Sequence, residues 1–227
     1  MFKKRITVLL AEDHMIVREG LRKLLELEDD LEVVGEAENG RQAVALVKKL
    51  RPAMVVMDIG MPLLNGLEAT RQILKAVPST RILILTAHCD NASIKDALKS
   101  GVMGFLLKQT SAHVLCEGIR EVNKGKPFFG PLMAKRIPEH ERKSLNQPGR
   151  PKPRNARLTA RELEVLQLIA EGEANKNIAA DLGISMRTVE RHRQRLMNRL
   201  DMHDVAGLTR YAITAGIVES SVQLTIL

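Results

Sequence analysis

Five short apolar runs, each followed by a segment in which apolar residues recur with helical spacing, constrain how the first 130 residues of this chain can fold. An apolar run of this length is typical of a strand buried on both faces. Strict alternation of such strands with helices is typical of a parallel sheet with right-handed crossovers. We therefore predict a doubly wound, flavodoxin-like α/β domain with five parallel strands. The runs read ITVLLAE, LEVVGEA, AMVVMDI, RILILTA and GFLLK in chain order.

Polar residues mark the ends of four of these runs. In doubly wound sheets ligands bind at the carboxyl ends of the strands, so these residues are expected to meet at one edge. Carboxylates gathered there would repel one another unless a cation lies among them, and Mg²⁺ prefers oxygen ligands from a few carboxylates, water and phosphate. The residues are Glu12 and Asp13 after the first run, Asp58 in the third, Thr86 in the fourth and Lys108 in the fifth.

This set of residue types favours a phosphoryl group carried by Asp58. Phosphoryl transfer needs positioning and charge neutralisation above all, and Lys108 supplies a positive charge while Thr86 supplies a hydroxyl donor. Each residue alone has an ordinary explanation, because a strand-terminal aspartate is often a helix cap and a strand threonine reflects β propensity. Their joint occurrence predicts a magnesium site of Glu12, Asp13 and Asp58, with Asp58 as the phosphoacceptor.

Residues 5–125 resemble the receiver domain of two-component response regulators, and the segment DIGMPLLNG that begins at Asp58 is part of the match. The resemblance covers the whole predicted α/β domain. The roles that it implies are Mg²⁺ ligation for Glu12 and Asp13, phosphoryl acceptance from a histidine kinase for Asp58, and contact with phosphoryl oxygens for Thr86 and Lys108.

Two further positions of the resemblance concern the fifth strand. Phe105 matches the aromatic switch residue, which moves inward when Thr86 reorients, although an aromatic residue there also suits an ordinary strand core. Many receivers follow the lysine with a proline in a cis bond, whereas Gln109 stands here. A cis bond before a residue other than proline costs about 3 kcal/mol, so the conformation of this loop stays open.

The middle of the chain carries most of its net positive charge. The formal net charge is +8 at pH 7, and residues 131–157 contain eight basic and only two acidic residues. This segment is rich in proline and lacks apolar periodicity, which is typical of an extended, partly stiff linker. We predict a first domain over residues 1–130, a linker over 131–157 and a second domain over 158–227. The charge serves solubility or contacts phosphates.

After the linker the sequence predicts a helix-turn-helix inside a small four-helix domain. The third helix carries five arginines that only Glu190 opposes, which is typical of a recognition helix in a DNA major groove. A solvated helix face is the ordinary alternative. The signals are a capping box of Thr159 and Glu162, a helix stop at Gly172, a second helix over residues 176–182 closed by Gly183, a cap at Ser185, and arginines at 187, 191, 193, 195 and 199.

Residues 158–217 resemble the LuxR-type helix-turn-helix through the segments LTARELEVL, NKNIAADLGIS and TVERHRQRL. Lysine is frequent in that family where Glu190 stands, and a carboxylate would accept from cytosine N4, so operator preference can differ. The last helix, over residues 204–215, would be the dimer helix, or it packs inside the domain. The DNA contacts implied are Glu190, Arg191 and Gln194 to bases and Lys176, Thr188 and Arg193 to phosphates, with Arg187 added from its place on the helix.

Together these features predict a DNA-binding response regulator that a sensor histidine kinase phosphorylates at Asp58 with Mg²⁺ as cofactor. Expected partners are double-stranded DNA, a second copy of the phosphorylated chain and RNA polymerase. No apolar run approaches the roughly 20 residues of a membrane span, so we expect no membrane contact and a cytoplasmic location. Cys89 and Cys116 form neither a metal motif nor a disulfide framework, which fits a reducing compartment.

Two alternatives have other chemical consequences. The chain could be a DNA-binding transcription factor that is never phosphorylated and uses the receiver only for dimerisation. It could also be an enzyme such as a phosphohydrolase, but no second aspartate stands two residues after Asp58 and no glycine-rich nucleotide motif is present. We therefore expect no enzymatic turnover.

Overall fold

The computed structural model describes residues 5–87, 94, 97, 98, 100–136 and 158–218. The chain divides into two compact units, Met1–Asn155 and Ala156–Leu227. Cys89, residues 137–157 of the predicted linker and the residues beyond 218 lie outside the described residues. Within the described residues no helix is both long and apolar enough to cross a bilayer.

The first unit is built on one parallel sheet, which confirms the doubly wound class. The strand order is β2-β1-β3-β4-β5-β6. The chain first adds β2 on one side of β1 and then adds β3 and the later strands on the other side, so the topological switch point lies between β1 and β3. The sheet has six strands where five were predicted, because a two-residue strand follows the last helix of the alternation. The strands are β1 (Ile6–Ala11), β2 (Leu31–Ala37), β3 (Met54–Met57), β4 (Arg81–Thr86), β5 (Gly104–Leu107) and β6 (Phe128–Phe129), all parallel to their neighbours.

Helices cover both faces of this sheet, and successive strand residues bury their side chains on opposite faces. On β1, for example, Leu9 joins one apolar cluster and Leu10 joins the other. The clusters are continuous with the buried sides of the helices, so the core has two apolar layers around the sheet. The helices are α1 (Met15–Glu26), α2 (Gly40–Leu50), α3 (Gly66–Ala76), α4 (Ala112–Asn123) and α5 (Pro131–Arg136), with further helical residues at 94, 97, 98 and 100.

The chain after α4 corrects the predicted start of the linker. An extended linker from residue 131 is wrong for residues 131–136, which form α5. The segment is held by the sheet, since the Phe128 N–H donates to the Met103 carbonyl (2.9 Å) and the Gly130 N–H donates to the Phe105 carbonyl (3.2 Å). Met133 of α5 is fully buried in the same apolar cluster as Phe105. Residues 128–136 therefore belong to the packed first unit.

Within residues 158–218 the second unit contains the predicted four helices: α6 (Ala160–Ala170), α7 (Asn175–Leu182), α8 (Met186–Leu200) and α9 (Val205–Thr214). The capping box of Thr159 and Glu162 is present at the start of α6. Gly183 ends α7 in the left-handed region with φ of 62°, and the Ser185 side chain caps α8 by accepting from the Thr188 N–H. The bounds predicted for the second and last of these helices, residues 176–182 and 204–215, are therefore correct within one residue.

Each of the four described helices of the second unit contributes fully buried apolar side chains to its core. This core includes Val165, Ile178, Val189, Leu196 and Leu208, each fully buried. The last helix buries Leu208 and Ala212, which confirms that α9 packs inside the unit. The same helix also leaves Val205 and Ile213 partly exposed, at 48% and 39%.

Candidate acidic site and nucleic-acid interface

The strand register brings the predicted polar residues to one level of the sheet edge. Ala11 of β1 pairs with Met57 of β3, so that Glu12 and Asp58 are the next residues of neighbouring strands. The Asp58 N–H donates to the Ala11 carbonyl (2.9 Å), which continues the ladder beyond the strands. On the other side, the Lys108 N–H donates to the carbonyl of Thr86 (2.8 Å). The predicted convergence at the carboxyl edge is therefore present.

Lys108 joins two buried carboxylates at this edge. Its Nζ lies 2.9 Å from Asp58 Oδ2 and 2.8 Å from Glu12 Oε2. The side chains of Glu12 and Asp58 are only 2% and 4% exposed, and that of Lys108 is 17% exposed. Burial of a carboxylate without a partner is strongly unfavourable, so this ammonium group is the compensation that the sequence analysis required.

The pKa values at the edge reflect this balance of burial and charge. Burial raises the pKa of Glu12, and the negative charge of Asp58 raises it further. The hydrogen bond and positive charge of Lys108 act in the opposite direction but do not outweigh these two causes. Burial alone would lower the pKa of Lys108, but the carboxylates of Asp58 and Glu12 raise it above its ordinary value. Lys108 therefore stays charged. Its charge does not fully offset the burial of Glu12 and the repulsion from Asp58, since the pKa of Glu12 is still raised.

The donor atoms at this edge fit a hard divalent cation. One ligand atom from each of Glu12, Asp13, His14 and Asp58 lies within 4.8 Å of the others. Asp13 is 26% exposed at its side chain, so the cluster is accessible from solvent. Three carboxylates with an opening to water are the ligand type that Mg²⁺ takes in proteins. His14, whose Nδ1 lies 2.9 Å from Asp13 Oδ1, is a neighbour that the sequence analysis did not single out.

The loop after β3 fixes the backbone of Asp58. The Asp58 Oδ1 accepts from the N–H of Ile59 (2.8 Å), and the Gly66 N–H donates to the Ile59 carbonyl (2.9 Å), which closes the loop. A Cβ on Gly66 would lie 1.9 Å from the Asp58 carbonyl oxygen, so no larger residue fits. Leu63 adopts a left-handed conformation with φ of 64° in the same loop. The backbone at Asp58 is therefore held by close packing.

Thr86 and Phe105 lie on the neighbouring strands β4 and β5. Both side chains are fully buried, and Phe105 pairs with Ile84 on one side and with Phe129 on the other. This surrounding agrees with the strand-core interpretation of Phe105, and its switch role stays a prediction. The Lys108–Gln109 bond is trans, since the described residues contain no cis peptide bond.

In the second unit, α8 presents one exposed polar face. Residues spaced by three and four lie on the same side of a helix, and the buried Val189 and Leu196 define the opposite side of α8. The predicted contact residues Arg187, Glu190, Arg191 and Gln194 share the exposed face and are all exposed, whereas Thr188 and Arg193 are half-buried at its flanks. Asn198 completes the face and accepts from the Gln194 amide (2.9 Å), a member that sequence reasoning missed.

Two of the arginines of this unit have structural partners instead. Arg199 Nη1 donates to Glu162 Oε2 (2.7 Å), which joins the end of α8 to the capping box of α6. Arg161 Nη2 donates to the Leu182 carbonyl (2.7 Å) at the end of α7. Among the arginines predicted on the third helix, Arg199 therefore joins α8 to α6, although its side chain is 44% exposed.

The positive charge of this unit is dense enough to lower the pKa of a neighbouring histidine. Burial lowers the pKa of His192, and the charges of Arg161 and Arg195 lower it further. Lys176 on α7 is exposed as well. An exposed helix face flanked by cations in a helix-turn-helix is the arrangement that docks in a DNA major groove.

Comparisons with known proteins agree with this division of roles. The model of the response regulator receiver domain matches residues 8–120, and the model of the bacterial regulatory proteins of the luxR family matches residues 156–212. The transcriptional regulatory protein LiaR of Bacillus subtilis is 36% identical over 207 residues, which cover 91% of this chain and 96% of LiaR.

Solved structures give the same result. The RcsB response regulator of Salmonella typhimurium is 27% identical with a TM-score of 0.60, and the alignment covers 93% of this chain and 98% of that one. A structure of an RcsB–DNA complex is 28% identical with a TM-score of 0.53 and covers 92% and 98% of the two chains. The chain belongs to the DNA-binding response regulators of two-component systems that combine a receiver domain with a LuxR-type helix-turn-helix domain.

Proposed function

We propose that a sensor histidine kinase phosphorylates Asp58 in a Mg²⁺-dependent reaction, and that this modification controls DNA binding by the second unit and thereby transcription. The observation that carries the proposal is the Lys108 ammonium group between two almost fully buried carboxylates, beside the accessible Asp13. Such a group of charges is costly to bury, since each buried ion loses its hydration. Perturbed charges in an accessible edge are typical of functional sites.

In the proposed reaction one Asp58 oxygen attacks the phosphorus of a phosphohistidine. The N–P bond breaks as the O–P bond forms, and the histidine leaves as a neutral imidazole once a proton from solvent reaches it. Lys108, now 2.9 Å from Asp58 Oδ2, is placed to donate to a phosphoryl oxygen, and Thr86 would donate its hydroxyl. Held by Glu12, Asp13 and Asp58, Mg²⁺ would neutralise charge on the phosphoryl oxygens.

Phosphorylation can act on DNA binding only by shifting the chain between two states that differ in their contacts. We propose that Thr86 and Phe105 are the residues that change state. The active state would be a homodimer that reads two half-sites, because a two-fold protein matches a palindromic operator. Such a regulator works in the cytoplasm, where it would also meet RNA polymerase.

For the DNA contacts we propose that the exposed face of α8 enters the major groove. Glu190, Arg191 and Gln194 would contact base edges, with Arg187 beside them. The residues at the flanks and on α7, namely Lys176, Thr188 and Arg193, would contact phosphates. The solved complex of RcsB with DNA, in which the protein is 28% identical to this chain, supports DNA as the partner of the second unit.

The test incubates the full chain with MgCl₂ and acetyl phosphate, and compares the native protein with Asp58→Asn. Acid-labile label is followed together with affinity for a duplex that the native protein enriches from a random-sequence library. We expect label and a change in affinity in the native protein and neither in Asp58→Asn. Asp29→Asn, which changes an exposed carboxylate in the loop before β2, is the matched control and should behave as the native protein.

Three other results would contradict the proposal. Absence of label in the native protein would remove the phosphoacceptor role. Label without any change in DNA affinity would favour the transcription factor that uses its receiver only for dimerisation. Continuous release of phosphate at a rate typical of enzymes would favour a hydrolase.

A further inference from the structure

The acidic edge is held from behind by a buried arginine of α1. Arg18 Nη1 donates to the carbonyl of Glu12 (2.8 Å) and contacts the carbonyl of Asp13 (3.4 Å). The Arg18 side chain is only 9% exposed, although it carries a permanent charge. The guanidinium therefore contacts the backbone of both residues of the acidic pair that follows β1, and neither of their carboxylates.

Two carboxylates from the β2 edge hold this guanidinium in place. Arg18 Nη2 donates to Glu38 Oε1 (3.0 Å), and Arg18 Nε lies 3.4 Å from Glu36 Oε2. Glu36 is on β2, and Glu38 comes directly before Asn39, the cap of α2. Since the guanidinium is a rigid planar fork, these contacts fix the loop after β1 relative to the loop after β2.

We infer that Arg18 is a positioning residue for magnesium binding: it holds the Glu12–Asp13 backbone so that both carboxylates stay at the sheet edge. The inference rests on the proposed function of that edge. Mg²⁺ demands near-ideal octahedral ligand geometry, so a loop that moves by a fraction of an ångström binds it less well. Groups that orient ligands from outside the coordination sphere typically contribute 10- to 100-fold in metal affinity.

The chain offers a matched control one turn further along α1. Arg22 Nη1 also donates to Glu36 (3.3 Å) and its Nε lies 3.9 Å from Glu26, but Arg22 does not bond to the carbonyls of the acidic pair. Arg22→Gln therefore removes the same charge from the same helix and the same carboxylate partner. Its effect on magnesium affinity should be less than about twofold.

The experiment titrates the full chain with MgCl₂ alone by isothermal titration calorimetry, and checks folding by circular dichroism. For Arg18→Gln we expect roughly 10- to 100-fold weaker Mg²⁺ binding, and for Arg18→Lys an intermediate loss because one ammonium group cannot reach both loops. When Arg18→Gln is labelled with acetyl phosphate, the Mg²⁺ concentration that gives half the maximal rate should rise. The rate at saturating Mg²⁺ should stay near the native value, because the hydrogen bonds of Arg18 go to Glu12, Asp13 and Glu38 and not to Asp58.

Each outcome decides the matter. Native affinity in Arg18→Gln would overturn the inference while leaving the proposed function intact, and failure of the native chain to bind Mg²⁺ would overturn both. Should Arg18→Gln not fold, Arg18→Lys and Glu38→Gln decide instead, since Glu38 is an exposed partner of the guanidinium (62%). Native Mg²⁺ affinity in both of these variants would overturn the inference.

Discussion

Lys108 is the residue on which the charge balance of the acidic edge depends. Without it, Glu12 and Asp58 would share a buried edge as two uncompensated negative charges. Because water cannot solvate them there, their repulsion would act against the folded state as well as against phosphate. The same residue therefore serves stability and function.

We predict that Lys108→Met destabilises the first unit by about 3 to 5 kcal/mol, because it leaves a buried charge without its partner. Amide hydrogen exchange of β1 and β3 in the full chain measures the change. Added MgCl₂ should restore part of the loss by binding only the folded state. Lys124→Met, whose side chain is 59% exposed and paired with Glu121, should change the exchange by less than about 1 kcal/mol. Equal effects of the two variants would contradict the role of burial.

Gly66 matters to the acidic edge because there is no space for a larger side chain beside the Asp58 backbone. A Cβ there would overlap the Asp58 carbonyl oxygen at 1.9 Å, so Gly66→Ala should destabilise the first unit by about 3 kcal/mol or more and slow labelling of Asp58. Gly20→Ala on α1 meets nothing within 4 Å and should stabilise by about 0.5 to 1 kcal/mol. Urea unfolding followed by circular dichroism compares the two. If Gly66→Ala leaves the free energy of unfolding and the labelling rate unchanged, the loop can move away from Asp58 to make space for the methyl group.

At the scale of an element, the helices of the second unit are joined through their ends. The Glu162 carboxylate accepts from the Thr159 N–H (2.7 Å) and from Arg199 (2.7 Å), so that one buried group both caps α6 and anchors α8. Burial would raise the pKa of Glu162, but the hydrogen bonds from Thr159 and the charge of Arg199 outweigh it and lower the pKa below its usual value.

A lowered pKa means that the stabilisation from Glu162 is present above pH 4.5 and is lost as the pH falls through the folded-state pKa. We expect Glu162→Gln to cost about 1.5 to 3 kcal/mol at pH 7 and distinctly less at pH 3. Hydrogen exchange of α6 and α8 at both values tests this. Asp201→Asn, which changes a fully exposed side chain at the end of α8, should have almost no effect. A cost that is independent of pH would contradict the charge argument.

The recognition helix separates base contacts from phosphate contacts by position. Arg191→Ala, on the exposed face, should cost about 1 to 3 kcal/mol of DNA affinity and relax the sequence preference. Arg193→Ala, at the flank, should weaken all duplexes alike and lower the salt dependence by about one counterion. Fluorescence anisotropy in a NaCl series measures both, with Arg210→Ala on α9 as the control. Interchanged results would mean that another face enters the groove.

At the scale of the whole molecule, the question is how many chains act together. The monomer mass is 25.3 kDa. We expect sedimentation equilibrium to give about twice this mass for the native chain with beryllofluoride and the enriched duplex, after subtraction of the DNA, because two-fold proteins match two half-sites. Asp58→Asn should remain monomeric with beryllofluoride alone. A native chain that stays monomeric in the presence of both beryllofluoride and the enriched duplex would contradict the proposed homodimer.

Much of this molecule could be predicted because topology dictates it. Once strands and helices alternate, the ends of the strands must meet, and Glu12, Asp58 and Lys108 follow from that rule alone. The bridging contacts of Lys108 could not be predicted, since they depend on distances between strands far apart in sequence. Arg18 was missed because its acceptors are backbone carbonyls and carboxylates of another strand, which leave no pattern around residue 18. The exposed face of α8 became clear only when its buried side was known.

The packing of α5 (Pro131–Arg136) against the first unit determines where the chain can be cut into fragments. A fragment ending at residue 130 would lack Met133, whose side chain fills the interior beside the fifth strand, and would open a void there. A fragment meant to represent the receiver in solution should therefore extend at least through residue 136, or its measured stability would report the cut and not the protein.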